Sequence, residues 1–173
     1  MNRKMAGALK KRPSAFPDLV ASVLTVCLFG VSIFVDIDEP ALVTGFGLGC
    51  LALAIPFAGL PFFQLAKYGK SKQVDAFFDT TQVADRGVYS LVRHPQYLGY
   101  MFLVIGFALL DPHPVALGLA GAAVIFFYIQ CLTEERFCSQ HLGEEYVVYV
   151  RRVPRINFLV GLLRIVRRHL TKG

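Results

Sequence analysis

The sequence predicts an all-α integral membrane protein of about four transmembrane helices, ending in a tight C-terminal helical hairpin and cytoplasmic amphipathic tail helices. Three observations predict it. Of 173 residues, 55% are hydrophobic and only 17% are charged, with a mean hydropathy of +0.53, which is too apolar for an ordinary soluble domain. Four uncharged runs, at residues 19–35, 41–66, 95–110 and 115–133, approach or exceed the length a bilayer demands of a spanning helix. All 18 Lys and Arg fall in the N-terminal arm, in residues 67–94, or after Thr133, as the positive-inside rule requires of a multi-pass chain with both termini cytoplasmic. Four such helices consume roughly half of the chain, so a single membrane domain over residues 1–173 is expected, without a second soluble domain.

The first run follows Arg3, Lys4, Lys10, Lys11 and Arg12 and precedes Asp36, Asp38 and Glu39. It is longer than a usual signal-peptide core and lacks a small-residue cleavage site after it, so an anchor is expected rather than a cleaved leader. The second run contains Pro56 and Pro61, which predict a kink. Its Gly45, Gly47 and Gly49 lie inside an apolar helix, where close helix packing is a better reading than a nucleotide loop. Residues 67–94 form the one long polar connection, the kind of segment that carries chemistry on a rigid scaffold.

The third and fourth runs are joined by Asp111-Pro-His-Pro114, which predicts an antiparallel hairpin. The fourth helix should continue past Thr133 to Leu142, stop at Gly143 and resume over residues 144–151. Residues 156–170 mix Phe158, Leu159, Leu162 and Leu163 with Arg164, Arg167 and Arg168, which suits a helix lying in the headgroup layer rather than a fifth span.

Several function classes recede at this point. The net charge of +6 sits beside apolar runs, so anionic lipid is the expected contact and nucleic acid is not. Cys27 and Cys50 lie in apolar runs and Cys131 and Cys138 on one helix, so free thiols are expected. His94, His113, His141 and His169 lack metal-site spacing, and no metal is expected. Small residues suit packing within a chain or between two, so the oligomeric state is left open.

The densest polar cluster is residues 86–99, leading into the third helix. Pro95 fits a first helical turn, which places Arg93 and His94 where unpaired N–H groups and the positive dipole end would welcome an anion. The hairpin returns the chain so that Glu134 and Glu135 reach the same side, and paired carboxylates at a membrane boundary call for solvation or a cation. Tyr146, Tyr149, Arg152 and Arg155 follow in the tail. Singly, each Arg or Tyr reads as a headgroup anchor or part of an aromatic belt; together, the three segments predict a site.

The run Gly87-Val-Tyr-Ser-Leu-Val-Arg-His-Pro-Gln-Tyr-Leu-Gly99, then Glu134-Glu135, Gly143-Glu-Glu-Tyr-Val-Val-Tyr149 and Arg152-Val-Pro-Arg155, resembles the isoprenylcysteine carboxyl methyltransferase and phospholipid methyltransferase superfamily of membrane enzymes. The resemblance covers about residues 85–158, the implied cofactor-binding part, and implies transfer of a methyl group from S-adenosyl-L-methionine to a lipid-like or isoprenylcysteine-type acceptor at the cytoplasmic face. It implies cofactor contacts from Tyr89, His94, Pro95, Tyr97, Gly99, Glu134 and Glu135, and catalytic roles for Arg93, Glu135 and Arg152. Membrane lipids and a hydrophobic or lipid-tethered small substrate are the implied partners. An amine or thiol acceptor would need Glu134, Glu135 or His94 to take a proton, whereas a carboxylate acceptor would need only a guiding Arg such as Arg152; the acceptor stays open. NADPH-dependent sterol-type reductases are similar through the Arg-His-Pro block, but Gln96, Tyr100 and the absence of Trp lean away from them. A non-enzymatic membrane scaffold is the remaining alternative.

Overall fold

A computed structural model describes residues 14–34, 40–68 and 83–170. The basic N-terminal arm, the acids Asp36 to Glu39 and most of the polar connection after Lys67 lie outside these residues. Everything described is helix or connection, with no strand among the described residues.

Helix α1 (Phe16–Phe34) begins three residues before the uncharged run, because Pro17 and Asp18 suit a first helical turn. Helix α2 (Ala41–Tyr68) contains both Pro56 and Pro61. Helix α3 (Pro95–Leu110) starts at Pro95 with His94 as its N-cap residue. Helix α4 (Pro114–Arg152) begins after a sharp turn and is interrupted at Gly143, whose φ of 59° and ψ of −137° leave the helical region. The expected stop at Gly143 is thus a kink between two helical segments, the second running from residue 144; the positive φ is strained for any residue with a Cβ. Helix α5 (Phe158–Leu170) follows, strongly amphipathic.

The packing is set by small residues. Gly99 of α3 meets α2 so closely that a Cβ there would overlap the backbone of Phe57 and Ala58. Two turns further on, a Cβ on Gly106 would lie 2.7 Å from the Leu51 side chain. The α3–α4 hairpin encloses Met101, Val104, Ala108, Ala116, Ala120, Ala123 and Phe127, and α1 closes this core with Ala21 and Leu28. Phe158, at the start of α5, packs with Phe57 and Phe102. Gly161 lies against the Leu91 carbonyl, where a Cβ would overlap it.

Among the described residues, α1, α2 and α4 are long and apolar enough to cross a membrane, and α3 is a shorter apolar helix of 16 residues. At 1.5 Å per residue α3 covers about 24 Å, somewhat less than a hydrocarbon core of about 30 Å. Outward faces are apolar as lipid contact requires: Val26, Phe46, Ile55, Phe63 and Ile125 are all exposed.

Candidate functional site

The turn of 3-10 helix at Gly87–Ser90 and the extended residues after it bring Arg93 and His94 to the head of α3. Both side chains are buried, at 8% and 7% exposure. Two backbone N–H groups at the entry to this helix are closed by the tail. Arg93 N–H donates to the carbonyls of Pro154 and Arg155 at 2.9 and 3.1 Å, and His94 N–H donates to the Arg155 carbonyl at 3.1 Å. The connection from α4 to α5 therefore docks on the head of α3 through its backbone, a pairing that helix rules applied to α3 alone do not reveal.

Glu135 is the hub of the charges. Arg155 grips it at two points, Nε to Oε1 at 2.8 Å and Nη2 to Oε2 at 2.7 Å. Arg93 Nη1 lies 3.1 Å and His94 Nε2 3.3 Å from its Oε1. Burial alone would raise the pKa of Glu135, but hydrogen bonds from His94 and Arg155 and the charges of Arg93 and His94 outweigh it and hold the carboxyl at about 2. Burial likewise opposes a charge on His94, yet its contacts with Glu134 and Glu135 prevail and raise its pKa. The imidazole is thereby biased toward imidazolium.

Glu134 is differently placed. Its Oε1 accepts a hydrogen bond of 2.6 Å from the Tyr97 hydroxyl, its Oε2 lies 3.6 Å from His94 Nδ1, and its side chain retains 32% exposure. Helical geometry separates the two neighbouring carboxylates: Glu135 turns to the cations from the tail, Glu134 toward Tyr97. Tyr97 also lines a cavity between α1, α3 and α4, where Asp18, Gln96, Tyr100 and Phe127 join it.

The structure thus gathers Arg93, His94, Pro95, Tyr97, Glu134 and Glu135. Tyr89 stands at the edge, where its carbonyl accepts a 2.7 Å hydrogen bond from the Tyr149 hydroxyl. Gly99 faces α2 and serves helix packing. Arg152 points elsewhere, at Asp85 across 3.8 Å on an exposed face. Arg155, which stood in the sequence reading only as one of several tail cations, is the residue that grips Glu135. Its Nη1 also donates to the Tyr128 hydroxyl at 2.6 Å, and the guanidinium lies 5.3 Å from that ring. Tyr128 precedes Glu135 by two helical turns, a same-face spacing that was available in the sequence. Asp18 had no such signal, because only packing of α1 against α4 brings it near.

Among the described residues no group of His, Cys, Asp and Glu has the arrangement of a metal site.

Residues 42–145 match the phospholipid methyltransferase family model. Relatives that the chain resembles carry the name protein-S-isoprenylcysteine O-methyltransferase, among them the following. The B form from Arabidopsis thaliana is 30% identical over 121 residues, covering 65% of this chain and 57% of its own. The human protein is 33% identical over 117 residues, covering 65% and 38%. The Saccharomyces cerevisiae protein is 30% identical over 122 residues, covering 61% and 46%. The chain therefore spans between about two fifths and three fifths of the length of these relatives. No solved structure matches it significantly. The family match takes in α2, α3, the Arg93-His94 head and the Glu134-Glu135 pair together, and on it the chain belongs to the phospholipid methyltransferase family.

Proposed function

We propose that this chain is a membrane-embedded methyltransferase that takes its methyl group from S-adenosylmethionine and gives it to a lipid-like or isoprenylcysteine-type acceptor at the cytoplasmic face. The observation that carries the reading is the contrast between Glu135, held by Arg155, Arg93 and His94, and Glu134, which keeps a partly exposed face beside Tyr97 and the cavity. The names of the relatives and the family match support the reaction class.

The residues fit such a donor. It brings a carboxylate, an ammonium and a sulfonium, and the site offers groups of both signs. Arg93 is buried, and its Nε has no hydrogen-bond partner among the described residues, an arrangement that a ligand carboxylate would complete. Glu134 and the Tyr97 ring suit a cation. Bound S-adenosylmethionine supplies an electrophilic methyl, and the chain's task is positioning. In-line transfer needs the nucleophile about 3 to 3.5 Å away and aligned. His94, biased toward imidazolium, is a donor rather than a base, which leaves Glu134 to accept a proton where the acceptor is an amine or a thiol.

Isothermal titration of the detergent-purified chain with S-adenosylhomocysteine and, separately, NADPH tests the reading. Binding of the first alone is expected. Binding of NADPH alone would identify a reductase, and binding of neither by folded protein would favour the scaffold.

A further inference from the structure

After Glu145 the chain carries seven Lys and Arg and no Asp or Glu. Within α5, helical spacing sets Arg164, Arg167 and Arg168 on one side and Leu159, Leu162, Leu163, Val166 and Leu170 on another. All five of these apolar side chains are exposed, Leu163 at 68% and Leu170 at 77%. A third edge holds the helix to the bundle. There Gly161 lies against the Leu91 carbonyl, and the Phe158 ring packs 5.7 Å from Phe57 of α2 and 5.9 Å from Phe102 of α3. Leu91 stands just ahead of Pro95, where α3 begins, so α5 lies at the level where the apolar run of α3 starts.

We propose that α5 docks on an anionic phospholipid surface and that this docking holds the tail on the head of α3, so that membrane charge governs how firmly the site is assembled. An exposed apolar face at that level is continuous with the lipid-facing side of α2 and suits the boundary between headgroups and acyl chains. The arginines flanking it meet lipid phosphates, and no carboxylate of the tail opposes them. A second copy of the chain fits less well, because a two-fold contact through this face would bring two acid-free basic tails together. The link to the site is short. Only Ile156 and Asn157 stand between Phe158 and Arg155, and Arg155 both grips Glu135 and offers its carbonyl to the N–H groups of Arg93 and His94. Arg164 Nη1 also donates to the Arg152 carbonyl at 3.2 Å, tying α5 back to the end of α4. Movement of α5 is therefore passed to Arg155 with little slack. The docking itself stands apart from the methyl-transfer reading; only its effect on donor binding rests on that reading.

The chain contains no Trp, so Leu163→Trp places a single emitter on the exposed apolar face. The full chain is compared in nanodiscs of phosphatidylcholine alone and of phosphatidylcholine with about 30% phosphatidylglycerol. In the anionic discs the emission should shift to the blue and be quenched by brominated acyl chains, and backbone hydrogen exchange over residues 91–94 should slow. Each arginine near such a surface favours the docked helix about fivefold. The double variant Arg167→Gln/Arg168→Gln, which leaves the Arg164 bond in place, should therefore lose about 25-fold in the docking equilibrium read from the emission. Salt at about 1 M, where the screening length falls to about 3 Å, should act likewise. Emission and quenching that are the same in both discs, or a charge response unchanged in the double variant, would overturn the proposal. So would blue emission that brominated chains do not quench, which would mean that a protein covers the face. Exchange over residues 91–94 that ignores a charge-dependent emission would overturn the link to the site. S-adenosylhomocysteine affinity should rise together with docking; a chain whose emission and exchange follow membrane charge but which binds no S-adenosylhomocysteine in either disc would sink the methyltransferase reading and leave the lipid surface standing.

Discussion

Glu135 and Arg155, twenty residues apart across the Gly143 break, meet in a two-point ion pair at 2.7 and 2.8 Å. That pair fastens the tail to the middle of α4 while the Pro154 and Arg155 carbonyls fasten it to the head of α3. The site is therefore assembled by the tail rather than merely flanked by it.

Arg155→Lys keeps the charge but loses the fork that matches a carboxylate. It should lower stability by about 1 to 3 kcal/mol, the scale of charged hydrogen bonds, and weaken S-adenosylhomocysteine binding. Arg152→Lys, at the exposed Asp85 pair, should change stability by under about 1 kcal/mol. Thermal unfolding in detergent compares the two; equal losses would mean that Arg155 has no special place.

On the donor side, His94→Ala and Glu134→Gln should each weaken binding of S-adenosylmethionine by about 1 to 3 kcal/mol. Glu135→Gln should weaken it similarly, but with a fall in unfolding midpoint that Glu134→Gln does not share, because Glu135 holds the tail. Titration calorimetry alongside thermal unfolding reads the difference, and unchanged affinity in all three would remove these residues from the cofactor site.

Stability should depend on pH from two sides. The Glu135 carboxyl is held at about 2, below its ordinary 4.5, so its contribution is present above about pH 4.5 and is lost as pH falls through the folded value. His94 is raised above its ordinary 6.5, so its contribution is complete below about pH 6.5 and is lost as pH rises through the folded value. The unfolding midpoint should thus peak between about pH 4.5 and 6.5. His94→Gln should flatten the alkaline side and spare the acid side; a variant with both sides intact would show that His94 is not the titrating group.

Two glycines should fail for different reasons. Gly99→Ala places a Cβ into α2 backbone that has no flexible end to move, and should cost about 1 to 3 kcal/mol as overpacking does. Gly143→Ala meets open space, so only its backbone conformation is penalised, at about 1 to 3 kcal/mol. Unfolding midpoints of the two single variants measure the costs, and no side-chain change on α2 should rescue Gly99→Ala, because the atoms in the way are backbone.

The four-span topology is checked by thiol labelling in sealed vesicles, in a background without the native cysteines. A cysteine replacing His113 should react only from the outer side and one replacing Glu144 only from the cytoplasmic side. Labelling of both from one side would overturn the four-span reading.

The sequence by itself determined the helices and their order, because the signals are local: uncharged runs of bilayer length, Pro95 at a helix start, the tight turn at Asp111 to Pro114, and a glycine where α4 breaks. It also determined that Arg93, His94, Glu134 and Glu135 share one end of the hairpin, since antiparallel pairing follows from a short turn. What it did not fix is which carboxylate faces which partner. Glu134 and Glu135 are chemically identical neighbours, and only the rotation of α4 against α3 and the tail sends one to Tyr97 and the other to Arg155. Nor did it reveal that the tail's carbonyls close the N–H groups of Arg93 and His94, or that α1 brings Asp18 into a cavity with Tyr97, Tyr100 and Phe127. Those contacts join residues separated by tens of positions, and they exist because Gly99, Gly106 and Gly161 let backbones approach closely enough to set the helices' relative placement.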